Sequence, residues 1–179
     1  MVELWIAQGA DGKAAAHMLL EEICRGLLGW SALPEQRRGP SGKPEFCARG
    51  LWFNLSHSGT YGLCGLSDTG EIGVDVERIR PRRPALPEKL LARQEYLWYE
   101  ERGRRWEDFY ALWTLKEARA KQTGRGLDRP AREISVPPLE PGGTAVFSHL
   151  MFASYGGEGW RAAFCGPELP VQLKWFKFS

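Results

Sequence analysis

Two segments of the chain carry acidic residues at spacings that suit metal binding. In the first, Asp75 and Glu77 lie two residues apart in an apolar stretch over residues 72–79. If this stretch is a strand, both carboxylates leave the same face about 7 Å apart, close enough to share one hard cation. An ordinary solvated strand face would show the same spacing. The pair therefore needs a third partner before it indicates a metal site.

Glu117, in the second segment, is the candidate for that partner. It follows Trp113 by four residues on a predicted helix over residues 106–122, and so continues the aromatic stripe that faces the core. An unpaired carboxylate in that position is costly to desolvate and favours a nearby cation. The alternative is an ion pair with Lys121, worth about 0.2–0.5 kcal/mol on a helix surface. Three carboxylates would hold Mg²⁺ or Mn²⁺ and leave positions for phosphate oxygens and water.

Two further positions suit phosphate binding. Lys43 lies between Gly42 and Pro44 in a loop, which holds its charge in a restricted position. His57 follows a predicted strand and is flanked by two serines, so its ring can donate to a phosphate oxygen. The alternatives are a basic turn and a structural histidine. The spacing of a Walker A phosphate loop is absent.

The periodicity of apolar residues predicts a chain of mixed helices and strands. A helix followed by a hairpin occurs in both halves, which suggests two related lobes. The predicted helices cover residues 14–28, 88–101 and 106–122, and the predicted strands cover residues 51–56, 61–66, 72–79, 145–152, 160–164 and 171–178.

Composition narrows the class of protein. The 179 residues are 43% hydrophobic and 26% charged, which indicates one soluble domain or two small lobes with a shared core. No apolar run approaches the roughly 20 residues of a spanning helix, and the first residues do not resemble a secretory signal. The four cysteines are too scattered for a zinc site and too few for a disulfide scaffold. We therefore expect a cytoplasmic protein without a membrane span.

Charge is unevenly distributed along the chain. The formal net charge is only +2, yet residues 78–105 carry nine basic and four acidic side chains. Such a segment can attract an acidic partner, although a solvated basic surface explains it equally well. Nucleic acid is the weaker option, because the sequence contains no recognised nucleic-acid module.

Four motifs taken in order resemble the 4'-phosphopantetheinyl transferase superfamily, and in particular its long, surfactin-synthetase-activating type. The resemblance implies an α+β fold with two pseudo-symmetric lobes, each a small antiparallel sheet packed with a long helix, and a ligand cleft between them. It divides the chain into an N-terminal, nucleotide-binding lobe (residues 1–70) and a C-terminal, catalytic lobe (residues 71–179). The motifs are Gly42-Lys43-Pro44, residues 53–58, residues 72–77 and residues 113–121.

The resemblance also implies an activity. It is Mg²⁺-dependent transfer of the 4'-phosphopantetheine arm from coenzyme A to a serine of an apo acyl or peptidyl carrier protein, with release of adenosine 3',5'-bisphosphate. The carrier would be acidic and would dock on the basic segment, and the enzyme would be a monomer.

The same resemblance also implies a role for individual residues of this chain. Asp75, Glu77 and Glu117 match the Mg²⁺ ligands that engage the pyrophosphate, and Asp75 is thereby also a cofactor-binding position. Glu117 also matches the residue that draws the proton from the attacking serine, directly or through water. Lys121 matches a lysine that contacts the pyrophosphate. The remaining matched positions contact coenzyme A, with His57 near its 3'-phosphate; they are Lys43, Pro44, Ser56, His57 and Lys116.

The first lobe departs from the long type. Only 41 residues precede Gly42, and few of them are basic. In the long type, basic residues of this region bind the 3'-phosphate, and here Arg37 and Arg38 in the loop are the candidates to replace them. A non-catalytic module that binds coenzyme A or a carrier protein is the alternative function. A different metal-dependent phosphotransferase is disfavoured, because no phosphate loop is present.

Overall fold

A computed structural model describes residues 1–39, 42–48, 50–126 and 128–178. It contains four α-helices, one short 3-10 helix over Ala131–Glu133, and ten strands. The helices are α1 (Gly12–Leu28), α2 (Leu86–Leu90), α3 (Arg93–Glu101) and α4 (Trp106–Gln122). The strands are β1 (Val2–Gln8), β2 (Gln36–Arg38), β3 (Pro44–Phe46), β4 (Trp52–Ser58), β5 (Tyr61–Ser67), β6 (Gly73–Arg78), β7 (Thr144–Phe147), β8 (Leu150–Gly157), β9 (Trp160–Gly166) and β10 (Leu173–Phe176).

The strands form two four-stranded sheets and one small hairpin. The first sheet has the order β10-β1-β5-β4, the second has the order β6-β9-β8-β7, and β2 pairs with β3. The two sheets pack face to face, α1 covers the outer face of the first, and α4 covers the outer face of the second. The predicted α+β fold with two lobes, each a sheet packed with a long helix, is confirmed.

Alternation along the strands explains this layering. Leu4 and Ile6 of β1 point to the inner face and pack against Val74 and Val76 of β6, which forms the core between the sheets. The intervening residues of the first sheet, Cys64 among them, pack on α1. Each sheet therefore has two buried faces, and the edges of β4 and β6 meet where the lobes join.

Two glycines let the helices lie close to their sheets. A Cβ on Gly62 of β5 would lie 2.4 Å from the backbone nitrogen of Ala16 in α1, and a Cβ on Gly73 of β6 would lie 1.9 Å from the carbonyl oxygen of Ala118 in α4. No larger side chain fits at either position without a shift of the helix. Gly73 therefore allows α4 to lie directly against the strand that carries Asp75.

Local backbone geometry corrects two of the predicted elements. The single helix predicted over residues 88–101 is two helices, because Leu91 and Ala92 between them are extended. The strand predicted over residues 145–152 is a hairpin, whose turn residues Ser148 and His149 have φ angles of 50° and 65°. Turns of this kind match the twist of the strands that they join.

The last strand corrects the predicted sheet composition. β10 pairs in parallel with β1 at the edge of the first sheet, so that sheet is not purely antiparallel. By the predicted division at residue 70, β10 belongs to the C-terminal lobe, and it pairs with β1 of the N-terminal lobe. Within the described ranges, none of the helices is long and apolar enough to cross a bilayer.

Candidate active site

The acidic residues predicted from the sequence lie at the junction between the lobes, where β6 meets β4 and α4. Asp75 is only 4% exposed. Its Oδ1 accepts hydrogen bonds from the Ser56 hydroxyl at 2.8 Å and from the Lys121 ammonium at 2.7 Å. Its Oδ2 is buried and has no hydrogen-bond partner among the described residues. A buried carboxylate oxygen of this kind is free to bind a ligand.

Lys121 is bound to the strand rather than to its helical neighbour. Besides Asp75, its ammonium donates to the Ser56 hydroxyl at 3.0 Å and to the carbonyl oxygen of Val74 at 3.2 Å. All three of its N–H donors are therefore engaged. The alternative of a surface pair between Glu117 and Lys121 is not observed, and Lys121 instead links α4 to β6.

Glu77 lies two residues along the same strand face and is held by Ser58. The Ser58 hydroxyl donates to Glu77 Oε2 at 2.7 Å. Burial raises the pKa of Glu77 above its ordinary value, the hydrogen bond from Ser58 opposes the rise, and the negative charge of Asp75 adds to it. The Glu77 carboxylate is therefore partly desolvated, and it lies close enough to Asp75 for the charge of Asp75 to raise its pKa.

Glu117 has the most perturbed carboxylate of the site. Burial raises its pKa to about 7, with a further increase from Asp75 and a smaller one from Glu77, while Lys121 acts in the opposite direction. Partial burial on α4 thus withdraws this carboxylate from water, as its position in the sequence predicts. Pairs of carboxylates that raise each other's pKa are typical of functional sites.

The chemistry of these three carboxylates fits a hard divalent cation. They offer only oxygen ligands, one buried oxygen of Asp75 is without a partner, and their mutual repulsion would be relieved by a positive charge. Within the part of the chain that the structure describes, no three His, Cys, Asp or Glu side chains are grouped closely enough to form a complete metal site. A cation would therefore have to draw the carboxylates together by side-chain rotation.

The residues expected to contact the nucleotide lie on the first lobe. The side chain of Lys43 is 8% exposed, and its ammonium donates to Glu71 Oε2 at 2.6 Å and to the carbonyl oxygen of Ile72 at 3.1 Å. Pro44 begins β3. A cavity of about 480 Å³ opens beside Lys43, and the rings of Phe46 and Trp52 contribute to its lining.

Ser56 and His57 point to opposite faces of β4. The Ser56 hydroxyl donates to Asp75 and accepts from Lys121 and from the backbone nitrogen of Val76. Its hydrogen-bonding capacity is therefore fully used at the acidic cluster. His57 is exposed on the α1 side of the strand, close enough to the N-cap residue Asp11 for its charge to lower the pKa of that carboxyl, after the larger effect of the backbone hydrogen bond from Ala14.

Lys116 occupies a different place from the one expected of a cofactor contact. It is completely buried, and its ammonium donates to the Glu95 carboxylate at 2.7 Å and to the carbonyl oxygens of Ala131 at 3.0 Å and Ile134 at 2.7 Å. In this position the ammonium is enclosed by protein and does not reach the acidic cluster. The prediction that Lys116 contacts coenzyme A therefore does not fit the structure, in which Lys116 holds α4 to α3 and to residues 131–134.

Sequence reasoning missed two residues of this region, Ser58 and Glu95. A signal for the buried pair exists, because Lys116 lies seven residues after Phe109 and hence on the buried side of α4. A lysine there requires a partner, although the sequence does not identify Glu95 as that partner. For Ser58 the only signal is its alternation with Ser56 on a strand that ends in a hairpin.

The sequence profile and the relatives that match this chain all carry the description of one family. A sequence profile described as the 4'-phosphopantetheinyl transferase superfamily matches residues 71–165, which include Asp75, Glu77, Glu117 and Lys121. A putative 4'-phosphopantetheinyl transferase of Synechocystis is 46% identical over 112 residues, which cover 57% of this chain and 46% of that protein.

Two further relatives carry the same description. The 4'-phosphopantetheinyl transferase AcpT of Salmonella typhi is 41% identical over 126 residues, which cover 66% of this chain and 64% of that protein. The 4'-phosphopantetheinyl transferase Sfp of Bacillus subtilis is 32% identical over 131 residues, which cover 68% of this chain and 58% of that protein. The chain thus spans between about half and two thirds of the length of these relatives. The profile match extends over more than half of the chain, which therefore belongs to the 4'-phosphopantetheinyl transferase superfamily.

Proposed function

We propose that this chain transfers the 4'-phosphopantetheine arm of coenzyme A to a serine of an apo carrier protein, with Mg²⁺ bound by Asp75, Glu77 and Glu117. The observation that carries the proposal is the cluster of three repelling carboxylates, with an unpartnered buried oxygen on Asp75 and a pKa of about 7 at Glu117. All three lie within the segment that matches the family profile.

The protein's own residues account for the proton and the charge in this reaction. The serine oxygen of the carrier forms a bond to the phosphorus that bears the pantetheine arm, and the bond to the adenosine 5'-phosphate breaks, so that adenosine 3',5'-bisphosphate leaves. The Glu117 carboxylate accepts the serine proton as a general base. Bound Mg²⁺ would neutralise charge on the pyrophosphate. Lys121 stabilises the charge that develops on the leaving phosphate.

The nucleotide end of coenzyme A fits the first lobe. The cavity beside Lys43 combines the aromatic rings of Phe46 and Trp52 with two basic side chains, Lys43 and Arg37, which are paired with Glu71 and Glu45. We place the adenine nucleotide there. His57 lies towards the other end of β4 and does not line this cavity, so its contact with the 3'-phosphate stays a prediction from the resemblance. The Lys43 ammonium donates a hydrogen bond to Glu71. An incoming phosphate group would compete with the Glu71 carboxylate for this ammonium. Arg37 is the better placed of the two loop arginines to assist, because it lines the cavity.

The test of this function is a mass measurement. Incubation of the chain with coenzyme A, Mg²⁺ and an apo carrier protein should increase the mass of the carrier by that of the phosphopantetheine arm, and chelation of the metal should prevent the increase. Absence of an adduct with carriers from fatty acid, polyketide and nonribosomal peptide synthesis would contradict the proposal. Coenzyme A binding without any transfer would favour the non-catalytic module instead.

The carrier would dock on a narrower surface than the whole basic segment. Three arginines at the C-terminal end of this segment are paired within the chain: Arg102 with Glu140, Arg104 with Glu100, and Arg105 with Asp108. The arginine that ends β6 and the three that follow it are exposed, and none of the four forms an ion pair with another described residue. They are Arg78, Arg80, Arg82 and Arg83.

Charge reversal of this exposed group should weaken the reaction with the carrier alone. For the double variant Arg80→Glu/Arg83→Glu we expect kcat/KM for an acidic carrier to fall about tenfold at low ionic strength and less at high salt, because salt screens surface charges. The KM for coenzyme A should be unchanged. Lys177→Glu is the matched control, because Lys177 follows β10 at the edge of the first sheet that lies away from β4. An equal effect of the control would argue against a defined docking surface.

We place the activity in the cytoplasm and expect a monomer. The four cysteines are free thiols, which suits a reducing compartment. Both lobes contribute residues to the junction from a single chain, so one copy would contain the whole site.

A further inference from the structure

The outward edge of β6 is closed by side chains instead of a neighbouring strand. β6 is the edge strand of the second sheet, and the outward N–H groups of such a strand need other acceptors when they are buried. Here every second N–H donates to a side chain of β4 in the first lobe. The bonds run from Val74 to Asn54 Oδ1 at 2.8 Å, from Val76 to Ser56 Oγ at 3.2 Å, and from Arg78 to Ser58 Oγ at 3.1 Å.

The carbonyl groups of the same edge are also bound by side chains. The carbonyl oxygen of Ile72 accepts from Lys43, and that of Val74 accepts from Lys121. The edge of one strand therefore connects the loop lysine, the serines of β4 and the lysine of α4. Each of these contacts fixes the position of β6 relative to another part of the site.

The regular spacing of these contacts fixes which way the hydroxyl groups of Ser56 and Ser58 donate their protons. Each residue of this set on β4 accepts from the N–H twenty positions later, and each serine donates to the carboxylate nineteen positions later. A hydroxyl has only one proton. Because its oxygen is already oriented by the strand N–H, the Ser58 proton is directed at Glu77 Oε2, as the Ser56 proton is at Asp75 Oδ1.

We propose that Ser58 is a positioning residue, which acts through Glu77 and holds its carboxylate towards the site where the metal binds. The proposal rests on the metal site described under Proposed function. Ser58 is the only described residue that donates a hydrogen bond to the Glu77 side chain. Without it, the carboxylate at this end of the strand is free to rotate towards solvent. Asn54 accepts from the same edge of β6 but faces Gly73, which has no carboxylate, so its role is confined to joining the lobes.

The difference between Ser58 and Asn54 gives the test. The probe is Mn²⁺ alone, titrated without coenzyme A or carrier and followed by the electron paramagnetic resonance signal of the free ion. For Ser58→Ala we expect the Kd for Mn²⁺ to rise about five- to twentyfold, with a small change in Tm, and Ser58→Thr should restore binding to within about twofold. Thr60→Ala removes a hydroxyl from the same hairpin without touching a carboxylate and should leave the Kd unchanged.

Asn54→Ala should give the opposite pattern, with a clear fall in Tm and a Kd for Mn²⁺ within about twofold of the unmodified chain. Equal weakening by Ser58→Ala and Asn54→Ala, or an unchanged Kd in Ser58→Ala, would overturn the positioning role. Failure of the unmodified chain to bind Mn²⁺ would instead remove the proposed metal site. In that case a crystal structure of Ser58→Ala still decides the matter, because displacement of the Glu77 carboxylate supports the proposal and an unmoved carboxylate contradicts it.

Discussion

Replacement of Glu117 by glutamine should reduce the rate of phosphopantetheine transfer by about 10³-fold. A positioned general base contributes on the order of 10²–10⁴ to a rate, and the same carboxylate is proposed to bind the metal, so both contributions are lost together. Coenzyme A affinity should change far less, because the proposed nucleotide contacts lie on the first lobe. The measurement is the initial rate of carrier modification by mass spectrometry, with the KM for coenzyme A from the same data.

The same substitution should stabilise the metal-free protein at alkaline pH. The pKa of Glu117 is about 7 in the folded chain against a usual 4.5, so the unfolded chain loses its proton first as the pH rises. The free energy of unfolding therefore falls between about pH 4.5 and pH 7, and stays lower above that range. Discounted for solvent screening, the penalty is roughly 1–2 kcal/mol. Glutamine carries no such charge, so Glu117→Gln should have the higher Tm at pH 8, and Mg²⁺ should raise the Tm of the unmodified chain alone.

The matched control for both effects is Glu107→Gln, an exposed glutamate in the first turn of the same helix. It should leave the rate and the Tm at pH 8 almost unchanged. If Glu117→Gln lowered the Tm at pH 8, the carboxylate would be stabilised in the folded chain by contacts that outweigh its burial. The interpretation that the charged Glu117 carboxylate destabilises the folded, metal-free chain would then be wrong.

The acidic part of the candidate site could be predicted from local sequence patterns. Asp75 and Glu77 share a strand face because their spacing is two, and Glu117 joins the buried stripe of α4 because its spacing from Trp113 is four. Both inferences depend only on the period of the element, and the structure places the two acidic segments at one junction. The contribution of Gly73 was not accessible, because the close approach of α4 depends on the packing of two distant segments.

The junction between the lobes could not be read from the sequence. Asn54 and Ser58 accept hydrogen bonds from the edge of a strand twenty residues away. The sequence around a polar residue on one strand does not indicate which other strand that residue will contact. The pairing of β10 with β1 is another case, because it joins the two ends of the described chain. Lys116 shows the limit most clearly, since its motif is adjacent to the site in sequence while its side chain points into the protein.

The second large effect is therefore expected at Lys116. In Lys116→Met the Glu95 carboxylate remains 3% exposed without its cation, although the N–H groups of Ala92 and Val136 still donate to it. Removal of one partner of a buried ion pair costs about 3–5 kcal/mol. At about 2–4 °C per kcal/mol for a chain of this size, the Tm should fall by roughly 6–20 °C. Differential scanning calorimetry of the purified variant measures this directly.

A second replacement separates the lost ion pair from the lost packing. Lys116→Met/Glu95→Gln removes the unpaired charge while the amide oxygen can still accept from a backbone N–H, so it should recover part of the Tm. Arg25→Met, which breaks the exposed pair with Glu22 on α1, should change the free energy of unfolding by less than about 1 kcal/mol. The decisive comparison is with ligand binding. Because the Lys116 ammonium is enclosed by Glu95 and two carbonyl groups, Lys116→Met studied well below its Tm should bind coenzyme A as the unmodified chain does, whereas a direct contact with the cofactor would weaken binding even in the folded variant.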